Sequence, residues 1–299
     1  MHEDPSEALL SSADSKKGRI QRIVLALLFE KRENGEIPTN GRFLFYELEQ
    51  RGLVRKSRRG ESRRERGDEL PREQAVIDAL MWVRDRGVIP WEWISDETRV
   101  LHGFDRYATV AEHLRVVVDH AEINPWAGEP PLILTESRSL AGVLRTISDE
   151  YRCRVAATNG QVGGFLRTEI APILDNGRPV LYLGDLDHQG AQIELNTRRV
   201  LEREAGHRLG WRRIAITADQ VADRRIEPII KTDGRYRPAL VHEAWEAEAL
   251  TQRVVVSLVR AALDELLPGP LEEIRVREQA QREEWKDRFD ERKEAPDAR

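Results

Sequence analysis

The stretch PVLYLGDLDHQGAQIE, residues 179–194, places two carboxylates at the end of a short apolar run. The run VLYL is typical of a buried strand, and Gly184 ends it. Asp185 and Asp187 follow, and an extended chain points residues two apart to the same side. Gly184 and Gly190 permit a tight turn into a helix, whose N-terminus favours anions. The stretch therefore predicts a strand, a turn carrying two aspartates, and a helix.

The surrounding sequence repeats the same strand–helix alternation. Apolar segments of strand length (LILTE, CRVAAT, PVLYLGD and WRRIAIT) are separated by segments with helical spacing of their apolar residues, and FLRTEIAPILDNG is the helix predicted before PVLYLGD. This order predicts a parallel sheet covered by helices on both faces. Glu136 ends LILTE, and ligands of open parallel sheets bind at the carboxyl ends of the strands. If LILTE and PVLYLGD are neighbouring strands, Glu136 lies beside Asp185 and Asp187.

Three carboxylates at one edge of a sheet need a compensating charge or a proton. Two like charges about 4 Å apart repel by roughly 4 kcal/mol at an effective dielectric near 20. Oxygen ligands without cysteine favour magnesium or manganese. We therefore predict that Glu136, Asp185 and Asp187 bind Mg²⁺ or Mn²⁺. The alternative is that the two aspartates only cap the helix that follows them.

The first 125 residues have a different pattern. Residues 1–15 are typical of a disordered tail. Three helical segments, a basic loop and a short extended segment, VIPWEWISDETR, follow. This combination predicts a winged-helix DNA-binding domain over residues 16–125. The sheet domain is predicted over 129–265, and a charged helix and tail over 266–299, so the fold class is α/β with a helical N-terminal domain.

The charge distribution indicates a nucleic-acid partner. The net charge is −5, yet residues 16–66 carry a balance of +8 and residues 67–299 a balance of −9. A basic block joined to an acidic remainder is typical of a DNA-docking module attached to a metal-binding module. The alternative is a solvated loop in residues 55–69, and a surface loop at 231–237. The predicted DNA-contacting residues are Arg55, Lys56, Arg58, Arg59, Arg63, Arg64, Arg138, Lys231 and Arg235.

Composition excludes several other classes of protein. The apolar runs are shorter than the roughly 20 residues that a membrane span needs. The acidic start does not resemble a secretory signal, and the single cysteine, Cys153, cannot form an intrachain disulfide. We therefore expect a cytoplasmic protein with no membrane partner. The phosphate-binding motif GxxxxGK[ST] is missing from the sequence, so ATP-driven work would need a separate ATPase subunit.

The motifs resemble a Toprim domain, the metal-binding fold shared by topoisomerases, primases and some nucleases. In its order of domains the chain is similar to the A subunit of topoisomerase VI and to its meiotic transesterase relative. Glu136 in LILTES and the aspartates of GDLDHQG stand at that family's metal-binding positions, with His188 in place of the usual proline. ATNGQVGGFL is similar to the family's Gly-rich segment between the motifs. EAWEAEAL begins a predicted amphipathic helical region and is similar to the acidic helix start near the family's C-terminus. The resemblance covers about residues 20–265.

The same resemblance implies a catalytic tyrosine. The segment RFLFY, residues 42–46, is similar to the family's catalytic helix and puts Tyr46 at the nucleophile position. Phe43 stands where the family commonly has an acid. Arg42, one turn before Tyr46, can supply positive charge, which a phenol of pKa about 10 needs at neutral pH. The family's tyrosine meets the metal site of another protomer, so the resemblance implies a homodimer on double-stranded DNA, with Tyr46, Arg42 and Glu136 catalytic.

Other functions remain open from the sequence. A metal-bound water could hydrolyse DNA while Tyr46 only packs in the core, as the resemblance to the Toprim nuclease subunit of Wadjet-type plasmid defence implies. A second possibility is a non-catalytic DNA-binding subunit that positions DNA for a partner ATPase. A third is a primase-like nucleotidyl transferase.

Overall fold

The computed structural model describes residues 9–56, 70–94, 107–158, 163–174, 177–233 and 240–294. The start of the expected N-terminal tail therefore lies outside the described residues. So do five of the predicted DNA-contacting residues: Arg58, Arg59, Arg63, Arg64 and Arg235.

Three helices form the first part of the chain: α1 (Lys16–Glu33), α2 (Gly41–Gln50) and α3 (Glu73–Asp85). The side chains of Ser15 and Asn40 accept backbone N–H groups and begin α1 and α2, as expected of N-cap residues. The apolar faces of the three helices meet in a buried cluster that includes Val24, Leu28, Leu48 and Val83.

The segment after α3 departs from the expected extended conformation. Trp91–Trp93 forms one 3-10 turn after Pro90, and Ile94 then makes a single bridge with Thr39. The predicted extended segment is therefore wrong over Trp91–Trp93, because the backbone turns directly after the proline. The next helix, α4, is Val110–Asp119.

A four-stranded parallel sheet lies at the centre of the rest of the chain. Its strands are β1 (Leu132–Thr135), β2 (Arg154–Ala157), β3 (Pro179–Leu183) and β4 (Gly210–Ala215), in the order β2–β1–β3–β4. All neighbouring pairs are parallel. The α/β class with a parallel sheet is confirmed, and β1 and β3 are neighbours, which places their carboxyl ends side by side.

Helices cover both faces of the sheet: α5 (Arg138–Glu150), α6 (Gly163–Phe165), α7 (His188–Ala205), α8 (Ala218–Arg224) and α9 (Gln252–Leu266). Ile133 and Leu181 point to the cluster that holds α5 and α9. Leu132, Val180 and Tyr182 point to the opposite cluster, which includes Leu201 of α7. Burial on both faces explains the near-continuous apolar strands.

The helix predicted for FLRTEIAPILDNG is irregular. After α6, Leu166–Ile170 continues as a wide helical turn and Ala171–Ile173 as a 3-10 turn. Pro172 lacks the N–H donor that a regular helix needs, so the helix cannot continue through it. The C-terminal helix α10, Leu271–Glu294, matches the expected charged helix.

An antiparallel hairpin, β5 (Ile229–Asp233) and β6 (Leu240–Ala244), was not expected. Lys231 lies in β5, so the surface loop considered for residues 231–237 is wrong for its first three residues. The predicted helix at EAWEAEAL is also wrong at its start, because Ala244 ends β6 and α9 begins only at Gln252. Between them, Trp245 pairs with Leu186 of the turn after β3.

None of the helices in the described ranges is long and apolar enough to cross a membrane.

Candidate functional site

The carboxyl ends of β1 and β3 bring Glu136 and Asp185 together. The backbone N–H of Glu136 donates to the carbonyl of Leu183 at 2.9 Å, which continues the pairing of the two strands. The N–H of Asp185 then donates to Oε2 of Glu136 at 3.2 Å. The structure therefore unites two of the three predicted metal ligands, which are 49 residues apart in the chain.

The turn between β3 and α7 depends on two glycines. A Cβ at Gly190 would lie 2.3 Å from the carbonyl oxygen of Asp185, and a Cβ at Gly184 would lie 2.7 Å from the hydroxyl of Tyr182. Both distances are shorter than any van der Waals contact. Close approach of neighbouring groups therefore requires glycine at both positions.

Asp187 has two separate contacts. Its Oδ1 accepts a hydrogen bond from the N–H of Gly190 at 2.6 Å and caps α7. Helix capping was the alternative to metal binding that the sequence left open for this residue. Its Oδ2 accepts a hydrogen bond from Lys231 Nζ at 2.8 Å. Asp187 is thus both a helix cap and a member of the acidic cluster.

Lys231 lies among three carboxylates. Its Nζ is 2.8 Å from Asp187, 3.7 Å from Asp185 and 3.7 Å from Glu246. The side chain is 34% exposed and reaches the cluster from strand β5. The ammonium group of Lys231 therefore offsets part of the negative charge of these three carboxylates.

Two further acids, Glu246 and Glu248, complete the cluster and were missed from the sequence. Both lie between β6 and α9, and the Trp245–Leu186 pair fixes this segment against the turn after β3. The N–H of Ala247 donates to Oδ1 of Asp185 at 3.0 Å. The available signal was the acidic segment EAWEAEAL, which sequence reasoning treated only as a helix start.

Glu248 is buried with one oxygen unsatisfied. Its Oε1 accepts hydrogen bonds from the hydroxyls of Ser137 and Ser139 at 2.7 and 2.8 Å. Its Oε2 is buried without a hydrogen-bond partner among the described residues. A buried carboxylate oxygen is costly to leave unpaired, so the site has unused capacity for a donor or a cation.

The electrostatics show an excess of negative charge. Burial, followed by the charge of Asp185, raises the pKa of Glu136 to about 7. Burial, followed by the charge of Glu248, raises the pKa of Asp185. Burial also raises the pKa of Glu246 despite the nearby Arg42.

Asp187 differs from the other acids. Burial favours its protonated form, but the hydrogen bonds from Lys231 and from the N–H of Gly190 outweigh burial and lower its pKa. Asp187 is therefore the carboxylate that the surrounding groups hold most firmly in its charged form.

The cluster has five carboxylates and, among the described residues, three cations paired with them: Lys231, Arg42 and Lys56. The formal balance is −2. Within the described ranges, no group of three or more Asp, Glu, His or Cys side chains is already arranged to hold a metal ion.

Tyr46 reaches this cluster through Glu246. Its hydroxyl donates to Oε2 of Glu246 and accepts a hydrogen bond from Lys56 Nζ at 2.6 Å. The same Nζ donates to Oε1 of Glu246 at 2.6 Å. The tyrosine ring is buried in the helical core, only 5% exposed, while its hydroxyl end faces the acids of its own chain.

Arg42 shares Oε2 of Glu246 with the Tyr46 hydroxyl and also contacts Glu248. Its guanidinium is 2.9 Å from Glu246 and 3.3 Å from Glu248. Burial alone would lower the pKa of Arg42, but the charges of Glu248 and Glu246 outweigh burial and raise it. Arg42 therefore ties α2 to the edge of the sheet.

Comparison of the chain with protein-family models, curated proteins and solved structures gave no match.

The remaining predicted DNA-contacting residues lie at different places. Arg55 pairs through its backbone with Arg72, at the two ends of the undescribed segment 57–69. Lys56 faces Tyr46, as described above. Arg138 is exposed at the first position of α5, directly after the acidic edge. Arg55, Lys56 and Arg138 thus lie on the elements that flank the cluster.

Proposed function

We propose that this protein cleaves double-stranded DNA in a magnesium- or manganese-dependent reaction at the carboxyl edge of its parallel sheet. The observation that carries the proposal is the place of Lys231, whose ammonium lies within 4 Å of Asp185, Asp187 and Glu246. A group of acids gathered around one cation has the chemistry of a divalent-ion site.

The donor set fits such an ion. Glu136, Asp185 and Asp187 offer hard oxygen ligands, and the cluster has two more negative charges than cations among the described residues. The Oε2 of Glu248, which has no hydrogen-bond partner among the described residues, is a further sign that the cluster can accept positive charge. A bound Mg²⁺ or Mn²⁺ would neutralise charge on the scissile phosphate and on its leaving oxygen.

The finer architecture supports the same proposal. We infer a winged-helix domain before a Toprim domain, as in the A subunit of topoisomerase VI. The observation behind this inference is the packing of α1–α3 around one buried apolar cluster. In this proposal the basic residues of the first part of the chain bind the DNA backbone.

Tyr46 is the proposed nucleophile rather than only a core residue. Its hydroxyl contacts a carboxylate and an ammonium group, which are the two groups that activate a phenol. A homodimer and a separate ATPase subunit remain the proposed partners.

Plasmid cleavage tests the proposal. Supercoiled DNA is incubated with wild type, Asp185→Asn and Tyr46→Phe in Mg²⁺, in Mn²⁺ and in EDTA. We expect wild-type cleavage only with a divalent ion, none with Asp185→Asn, and protein attached to the new DNA ends. Cleavage in EDTA, or equal cleavage by Asp185→Asn, would refute the metal-dependent reaction.

A second candidate is a non-catalytic DNA-binding subunit that positions DNA for a partner ATPase. The observation that favours it is the ion pair between Lys231 and Asp187 at 2.8 Å, because the ammonium occupies a carboxylate oxygen that a metal ion would need. In that case Asp185→Asn leaves DNA binding unchanged and wild type shows no cleavage.

A further inference from the structure

Glu246 connects the tyrosine helix to the acidic cluster within one chain. Its two oxygens contact Tyr46, Lys56 and Arg42 on one side, and its Oε1 lies 3.7 Å from Lys231 on the other. The side chain is 11% exposed, so these contacts are shielded from water. Glu246 thus lies between Tyr46 and the ammonium that Asp185 and Asp187 share.

Lys56 covers the hydroxyl of Tyr46. Its Nζ donates both to the phenol oxygen and to Oε1 of Glu246, each at 2.6 Å. The lysine side chain is 30% exposed, and it is the last described residue before the basic segment 57–69. The phenol end therefore lies directly beneath a lysine that faces solvent, although the ring is buried.

We propose that Glu246 and Lys56 form the activating pair for Tyr46, and that Tyr46 acts on DNA bound at the acidic cluster of its own chain. This inference rests on the proposed DNA cleavage. Glu246 is the base for the phenol, and Lys56 stabilises the oxygen as it loses its proton. The reaction then takes place within one chain, without a tyrosine from a second protomer.

The proton of the Tyr46 hydroxyl moves to Oε2 of Glu246, and the phenol oxygen forms a bond to phosphorus. The bond from phosphorus to O3′ breaks, and O3′ keeps the electron pair and takes a proton from solvent. Glu246 returns its proton to solvent. The products are a 5′-phosphotyrosyl link at Tyr46 and a free 3′ hydroxyl.

The chain provides a matched control. The hydroxyl of Tyr151 donates to Asp264 at 2.7 Å, so it is a second tyrosine–carboxylate pair, located at the end of α5 and on α9 rather than at the acidic cluster. Tyr151→Phe and Asp264→Asn therefore remove the same type of hydrogen bond as Tyr46→Phe and Glu246→Gln.

Trapping of the covalent adduct tests the pair. Each protein is incubated with radiolabelled DNA and Mn²⁺ at pH values from 5 to 9. The mixture is then denatured, and the DNA that stays covalently attached to protein is quantified. We expect no adduct with Tyr46→Phe, about 100-fold slower formation with Glu246→Gln, the scale of a lost general base, and wild-type rates with the two controls. Lys56→Gln should slow adduct formation about tenfold, the scale of one charged hydrogen bond. Lys56→Arg should restore part of the wild-type rate.

The pH profile separates a chemical role from a structural one. Wild-type adduct formation should rise with pH as Glu246 loses its proton, and Glu246→Gln should lose that rise at a temperature where circular dichroism shows both proteins folded. Wild-type rates in Glu246→Gln and Lys56→Gln would overturn the inference. Cleavage that leaves free DNA ends and persists in Tyr46→Phe would also overturn it, yet would leave the proposed metal-dependent cleavage standing.

A mixing experiment tests the single-chain arrangement. Tyr46→Phe and Asp185→Asn proteins are combined, unfolded together and refolded. If the tyrosine and the acids act within one chain, the mixture forms no adduct. Recovery of the adduct in the mixture would show that they act between protomers and would overturn this part of the inference. Absence of any cleavage by wild type would instead refute the proposed function.

Discussion

Glu136 links the stability of the metal-free protein to pH. In the folded chain its pKa is about 7, because burial and then Asp185 disfavour the charged form, whereas the ordinary value is 4.5. Between these values the folded state binds more protons than the unfolded state. The contribution of Glu136 to stability is therefore present below about pH 4.5 and is lost as pH rises through about 7.

We expect Glu136→Gln to remove this dependence. Glutamine cannot ionise, so in EDTA at pH 8 the variant should be more stable than wild type by about 2 kcal/mol, after an allowance for solvent screening. At pH 4.5 the two proteins should differ little. Urea unfolding followed by circular dichroism at pH 4.5, 6, 7 and 8 measures the difference.

Glu150→Gln is the opposite control. The hydrogen bond from Arg260 is the main reason that the pKa of Glu150 is lowered, so its contribution is present above the ordinary value and is lost as pH falls. This substitution should destabilise the protein at pH 8. A Glu136→Gln protein that keeps the wild-type slope between pH 5 and 8 would contradict the prediction.

At the scale of elements, the turn from β3 to α7 depends on Gly190. A methyl group there would meet the carbonyl oxygen of Asp185 at 2.3 Å, so we expect Gly190→Ala to lower the free energy of unfolding by about 3 kcal/mol. It should also abolish plasmid cleavage, because Asp185 and Asp187 lie on this turn. Gly164→Ala is the control, since no atom of the described residues lies within 4 Å of the added Cβ. Equal unfolding midpoints in urea for the two variants would refute this prediction.

The β5–β6 hairpin presents Lys231 to the acids, and this element governs cation affinity if the proposed metal site is correct. A divalent ion must compete with the ammonium, which lies 2.8 Å from Asp187. We expect Lys231→Met to tighten Mn²⁺ binding about tenfold, from the loss of one nearby positive charge at a partly exposed site. Free Mn²⁺ measured by electron paramagnetic resonance gives the affinity.

Lys286→Met is the control for this experiment. Nζ of Lys286, on α10, lies 3.0 Å from Oδ1 of Asp119, on α4, and neither residue belongs to the acidic cluster. Its substitution should leave Mn²⁺ affinity at the wild-type value. Unchanged or weaker Mn²⁺ binding in Lys231→Met would show that the ammonium and the metal do not compete.

For the whole molecule, α2 joins the helical part to the sheet. Phe43 is fully buried in the cluster that contains α5 and α9, whereas its neighbour Phe45 is buried among the N-terminal helices. Phe43 thus occupies an apolar site between the two parts. An unpaired carboxylate at this position would be costly.

Two substitutions of the same size test this division. Phe43→Ala and Phe45→Ala should each lower the free energy of unfolding by about 3–5 kcal/mol. Hydrogen exchange measured by mass spectrometry should increase in α5 and α9 for Phe43→Ala, but in α1 and α3 for Phe45→Ala. The same exchange pattern in both variants would contradict the proposed role of Phe43.

Much of the sheet was predictable because its signals are local. Apolar runs of four or five residues, each followed by a polar or glycine-rich exit, identify β1 and β3. The parallel order then places Glu136 near Asp185. The hairpin was not predictable in this way, since only the first two residues of β5 are apolar and one of them, Ile230, is exposed. Glu246 was missed for the same reason, because the hairpin carries it to the site.

By itself, the sequence determined the parallel sheet and the three acids at its edge, because the period of the apolar residues and the glycines of one turn are encoded within short stretches of chain. Only the tertiary structure decided what surrounds those acids. Lys231 meets Asp187 from 44 residues away, and Tyr46 meets Glu246 from 200 residues away. Such contacts form when helices and strands that are distant in sequence pack around a common core. The charged side chains then pair with each other, because little water reaches them to solvate a charge without a partner.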